Sequence, residues 1–143
     1  MTTYRYPIDL TPDESGRIIA RAPDLIGCIT DGADPADALV EMADALEVAL
    51  SAAMQDQEDI PPPSATKGRP TVAPGAVLSA KLALYQACRT AGISHAALAS
   101  RLGIRESEVQ RMLDPSHTTK IGQLEAALIA LGKRLTISVD DAA

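Results

Sequence analysis

Arg105, Ser107, Glu108 and Arg111 are the side chains whose types and spacing most plainly suit a chemical task. In RESEVQRML, Val109 and Met112 fall three residues apart and face inward on a helix. Ser107, Glu108 and Arg111 then point outward, with Arg105 at the leading end. A guanidinium fork and short polar groups set along a helix hydrogen-bond base edges and phosphate oxygens. That is recognition chemistry.

Groups that break bonds are scattered. His95 and His117 have no zinc-ligand spacing to Cys28 or Cys88. Asp9 stands on an expected first strand, but the expected second and third strands bring no carboxylate beside it. Metal-dependent hydrolysis needs several carboxylates converging on Mg²⁺. The chain has no glycine-rich phosphate loop and no nucleophile elbow. No catalytic residue, metal site or cofactor is expected, and the chain is not read as an enzyme.

The outward set needs a scaffold, and residues 94–113 supply one as two short helices around a tight turn. Ser94 is a good N-cap, because its hydroxyl can accept an orphan N–H of the first turn. Leu98, Ala99 and Leu102 follow at helical spacing, and Gly103 stands where a left-handed residue ends the helix. Ile104 is the buried link of the turn. An ordinary αα-hairpin shares this spacing. The stretch also resembles the helix-turn-helix of the lambda-repressor and Cro type, whose second helix enters the DNA major groove. It departs from that pattern twice: His95 replaces the usual Gln, and Arg105 takes a capping position usually held by Ser or Thr. The resemblance puts Arg105, Ser107, Glu108, Arg111 and His95 in the DNA-contacting set. Glu106 and Glu108 suit the helix dipole.

Charge separates the chain into unlike halves. Residues 1–66 hold three Arg against thirteen acids, a balance of −10, whereas residues 67–143 carry +4. A basic half with two short helices and an acidic half without them suggest different partners. The apolar content of 46% is ample for a core, yet there is no Phe or Trp, so Leu, Ile, Val and Ala must build it. No apolar run approaches the ~20 residues of a membrane span. The start, MTTYRYPIDL, lacks a signal-peptide pattern. Two distant cysteines make no disulfide framework, so reduced thiols and a cytoplasmic location are expected.

In chain order, residues 4–10 alternate, with Tyr4, Tyr6, Ile8 and Leu10 on one face, and predict a half-buried strand limited by Pro7. Residues 11–16 are turn chemistry. Residues 17–22 and 27–30 predict two further strands. Asp34, Pro35 and Asp37 start a helix expected to reach Gln55, with an apolar stripe of Leu39, Met42, Ala43, Leu46, Leu50 and Ala53. Asp37, Glu41, Asp44 and Glu47 line its other side. Residues 60–74 are proline-rich, extended chain at a boundary, with a short strand possible at 71–73. Residues 77–90 predict a helix with Leu78, Leu82, Tyr85 and Cys88 in one stripe, stopped by Gly92. A last helix, capped by Thr118 or Thr119, runs to Leu131 and stops at Gly132. Leu135, Ile137 and Val139 then alternate as a terminal strand that needs an edge, expected from a second copy.

Over about residues 4–73 the chain resembles the HicB antitoxin family. The resemblance is carried by YRYPIDL, the turn ending in Gly16, APDLIGCITDGADPADAL, the long helix and the IPPPS run after it. Many members of that family carry a helix-turn-helix behind this unit. The resemblance implies an α+β fold: a small antiparallel sheet plus one helix (a partial ribonuclease-H-like unit), then an all-α helix-turn-helix domain with a terminal strand. The divisions are residues 1–60, or to about 74 with the linker strand, a linker at 61–75, and 76–143. It implies an antitoxin that blocks a small basic mRNA-cleaving toxin of the HicA kind and represses its own operon, residing on the nucleoid when on its operator. Asp9, Asp37, Glu41 and Asp44 are the toxin-facing candidates. A homodimer or larger assembly would use Leu135, Ile137, Val139 and the N-terminal sheet. The alternative is a stand-alone repressor whose N-terminal half is a sensor or oligomerisation module.

Overall fold

A computed structural model, describing residues 1–141, divides the expected strand at residues 4–10 into two. Tyr6–Pro7 forms β1 and Asp9–Pro12 forms β2. The cause is that the two ends have different neighbours. β2 pairs antiparallel with β3 (Ile18–Arg21), which pairs with β4 (Ile29–Gly32), giving the order β2-β3-β4. β1 instead pairs antiparallel with a strand sixty-odd residues away, Tyr6 opposite Val72 and Pro7 opposite Thr71. Between the two, the Ile8 N–H donates to the Pro70 carbonyl at 2.9 Å. The β2–β3 turn is held by one carboxylate. Asp13 Oδ1 accepts from the Ser15 N–H and hydroxyl and from the Arg17 N–H, all within 2.9 Å.

Helix α1 (Pro35–Gln55) begins as its sequence dictates. Asp34 Oδ1 accepts from the Asp37 N–H, Asp37 Oδ2 accepts from the Ala33 N–H, and Pro35 sits where no N–H is needed. The helix packs across β3 and β4. Its buried stripe is Ala38, Met42, Leu46, Leu50 and Met54, so the face is turned slightly from the expected one, and Leu39, Ala43 and Ala53 are only half-buried. Gly32 explains the turn: a Cβ there would overlap the backbone of Ala38 and Asp37, so β4 meets the first turn of α1 at backbone distance.

The proline-rich run lies within this first unit, which ends at Gly75. Ile60 is buried, the Tyr6 hydroxyl donates to the Pro61 carbonyl at 2.9 Å, and the Ser64 N–H donates to Asp24. β5 (Thr71–Val72) follows and closes on β1.

The second unit, from Ala76 onward, is helical: α2 (Ala76–Ala91), α3 (His95–Leu102), α4 (Glu106–Leu113) and α5 (Ile121–Ala130). Its core joins Leu84 and Cys88 of α2 to Leu98, Val109, Met112, Leu124 and Leu128. Of the stripe expected on α2, Cys88 alone belongs to this core, which takes Ala80, Leu84 and Ala87 instead.

One expectation fails here. Neither Thr118 nor Thr119 caps α5, whose N-cap position is Lys120 with no side-chain cap bond. Thr119 is drawn inward to 7% exposure, one residue too early to cap. Within the single chain residues 133–141 lie outside any strand, since this helical unit offers no sheet edge and the expected edge is that of a second copy. Leu135 packs on the core margin, while Ile137 is 66% and Val139 93% exposed. Ala142 and Ala143, the end of the expected second domain, lie outside the described residues.

Candidate functional site

Helices α3 and α4 meet through a turn that the local sequence dictates. Ser94 Oγ accepts from the Ala97 N–H at 3.1 Å. Gly103 takes φ 66°, a left-handed conformation that L side chains rarely adopt, and the Ile104 N–H closes on the Ala99 carbonyl at 3.1 Å. Leu98, Ala99, Val109 and Met112 are buried, fixing which side of α4 faces out.

The outward side carries Arg105, Ser107 and Arg111, all exposed. Glu108 is half-buried, since it lies nearer the inward side of α4 than Ser107 or Arg111 does, and His95 at the start of α3 is half-buried too. Arg105 occupies the N-cap position in extended backbone without a side-chain cap bond. Glu106 and Glu108 in the first turn and Arg111 in the last agree with the helix dipole. Among the described residues no ion pair engages Arg105 or Arg111.

One residue beside this set escaped sequence reasoning. Lys81 on α2 is 1% exposed. Its Nζ donates to three carbonyls, of Arg111 at 3.1 Å, Asp114 at 2.7 Å and His117 at 2.6 Å. Burial draws the Lys81 pKa below the ordinary lysine value, and the Asp114 charge works against that. Asp114 is itself held low, first by the Ser116 hydroxyl and N–H, with Lys81 and His117 adding. The only signal in the sequence was a lone Lys among the small and apolar residues of SAKLALY.

In the first unit the four acidic candidates separate. Asp9 pairs with Arg69 at 3.1 Å, and Asp37 is engaged at the start of α1. Glu41 and Asp44 are exposed on the outer side of α1. With them lie Glu47, which accepts the Gly75 N–H at 2.8 Å, and the exposed Val40 and Val48. The valines alternate with the acids at i, i+4 along Val40, Asp44 and Val48, a spacing present in the sequence. The sheet adds Ile29, about half exposed, and the loop before it the fully exposed Ile26.

Among the described residues no three His, Cys, Asp or Glu side chains gather as a metal site. Cys28 and Cys88 are free and buried, and burial pushes both thiols up. Among the described residues no helix is long and apolar enough to cross a membrane.

Residues 5–83, spanning the sheets, α1 and the start of α2, match the family described as HicB-like antitoxin of bacterial toxin–antitoxin systems. The chain belongs to the HicB-like antitoxin family. Antitoxin HicB 2 of Photorhabdus laumondii subsp. laumondii is 38% identical over 93% of this chain and 94% of its own. Antitoxin HicB 1 of the same organism is 32% identical over 95% and 87%. Antitoxin HicB of Escherichia coli is 33% identical over 93% and 97%. In this HicB-like chain the likeness to those proteins therefore runs through the second unit as well as the first.

Proposed function

We propose that the chain neutralises a small, basic, RNA-cleaving toxin of the HicA kind through its first unit and represses the operon of the pair through its second, acting in the cytoplasm without catalysis of its own. Family membership carries the toxin partner. Charge supports the division of labour: a toxin that grips RNA presents positive charge, and Glu41 and Asp44 on α1 offer an acidic surface to compete for it. The operator reading rests on α4, where Arg105, Ser107 and Arg111 stand exposed on a buried footing of Val109 and Met112. In this reading α3 and α4 act as a helix-turn-helix, with α4 in the major groove, His95 and Glu108 at its margin, and the protein on the nucleoid when bound. A second copy, joined through residues 135–139, pairs two such units on neighbouring groove faces.

The test is the Arg105→Ala/Arg111→Ala double variant of the full chain, titrated on its own promoter duplex across a salt series. If Arg111 reads a base, its truncation costs ~1–3 kcal/mol and relaxes preference at one position. If it grips a phosphate, truncation weakens all sequences alike and flattens the salt slope. Relief of toxin-induced growth arrest should survive either change. A folded double variant that binds the promoter as the parent does overturns the operator reading, and a parent that leaves growth arrest unrelieved overturns the toxin reading.

A further inference from the structure

We infer that Lys81 is a positioning residue for operator recognition: its enclosed ammonium sets how α4 lies against α2, and so where Arg105, Ser107 and Arg111 are presented. The inference rests on α4 being the DNA-contacting helix. A helix ends with carbonyls that have no intrahelical partner. At the end of α4 the Arg111 carbonyl accepts from the Asp114 N–H and the Asp114 carbonyl from the His117 N–H, and both take a second bond from Lys81, which also reaches the His117 carbonyl in the turn leading to α5. An ammonium has three protons, and all three are used. Donors that carry charge make the stronger hydrogen bonds, and a cation suits the negative end of a helix.

The leading end of α4 is tied through the turn from α3, where the Ile104 N–H closes on the Ala99 carbonyl, and Arg105 adds no side-chain cap bond, so the last turn is the end that Lys81 fixes. The helix has eight residues, so a small shift at its fixed end moves every outward side chain together. Arg111 shows the coupling most directly. Its carbonyl is gripped from within the unit while its guanidinium is free to the outside. Base-edge hydrogen bonds demand that placement, whereas phosphate contacts tolerate displacement. Lys81 therefore bears on the choice among sequences more than on the general attraction to DNA.

The experiment uses the full chain with Lys81→Met, which keeps the length of the side chain and removes its donors. Affinities for its own promoter duplex and for a scrambled duplex are measured at a temperature where circular dichroism shows the variant folded. The promoter-to-scrambled ratio should fall by about tenfold or more, with the scrambled affinity and its salt slope unchanged. A role in stability alone moves the melting temperature and leaves that ratio where it was, so a folded variant with the parental ratio overturns the proposal. If Lys81→Met does not fold, Lys81→Gln decides. It reaches fewer of the three carbonyls and should lower the ratio in the same direction, and a folded Lys81→Gln at the parental ratio is equally fatal. Failure of both to fold assigns Lys81 to stability and overturns the proposal. A parent with no preference for its promoter condemns the operator reading itself, a distinguishable result.

Discussion

The backbone of Gly32 lies against that of Ala38 so closely that no side chain fits between them. The contact joins the last residue of β4 to the first turn of α1, and its cause is space, because Gly32 does not adopt a left-handed conformation. Any Cβ at this position must push strand and helix apart.

Gly32→Ala should therefore destabilise the first unit by about 3 kcal/mol, the upper end of overpacking costs, because the obstacle is main chain and cannot rotate away. Urea unfolding of the full chain measures it. A parental midpoint would show that the two elements separate freely.

Charge reversal on α1 separates the two proposed tasks. Glu41→Lys/Asp44→Lys should slow association with the toxin by one to two orders of magnitude at low salt, roughly the range of electrostatic steering. Promoter affinity should be unchanged. Asp9→Asn is the control. It breaks a partly exposed ion pair with Arg69, costing about 0–1 kcal/mol of stability, and should leave the association rate alone. Equal effects from both variants would remove α1 from the toxin surface.

Alkaline pH should loosen the first unit through Tyr6. Burial, with Tyr4 and Asp24 adding, pushes its phenol from 10.0 up to about 12. The unfolded chain releases this proton near 10 and the folded chain only near 12. Its contribution to stability is therefore whole below pH 10 and is lost as the pH rises through about 12. Tyrosinate absorbance should show a step near 12 that Tyr6→Phe removes, and the same substitution should flatten the decline in stability over that interval. A Tyr6 that titrates at the ordinary tyrosine value of 10.0 would contradict its burial.

Removing residues 136–143 spares Leu135, which packs on the core margin, and takes away the exposed Ile137 and Val139. Sedimentation should then report a smaller assembly, with weaker binding to a promoter that has two half-sites. Unchanged sedimentation and affinity would show that these residues join no second copy.

What the sequence disclosed was local. Asp34, Pro35 and Asp37 announce the start of α1 within four positions, and Ser94 and Gly103 bracket α3 in the same way. What it concealed depends on partners far along the chain. The division of residues 4–10 into β1 and β2 is imposed by β5, and Asp9 is engaged by an arginine sixty residues on. Lys81 reads as an interruption of an apolar stripe until the end of α4 and its following turn are brought to it. Of the proposed sites, α4 was legible because one helix carries both its core side and its outward side. The α1 surface was only half legible: pattern gives the acids, but not which of them are already spent on Ala33 or Gly75.

The pairing of β1 with β5 bears on how the protein is made. A ribosome releases Tyr6 long before Thr71 and Val72, so the first strand emerges without the neighbour it needs, and Tyr6 waits for the Pro61 carbonyl as well. The three-stranded sheet and α1 can assemble from the residues already delivered, but the unit closes only when the far side of the proline-rich run is out. Throughout that interval the nascent chain exposes an open strand edge and an extended segment, the features that proteases and stray strands seize. Closure of this clasp thus waits on the emergence of Thr71 and Val72, and every residue it joins lies within the first unit.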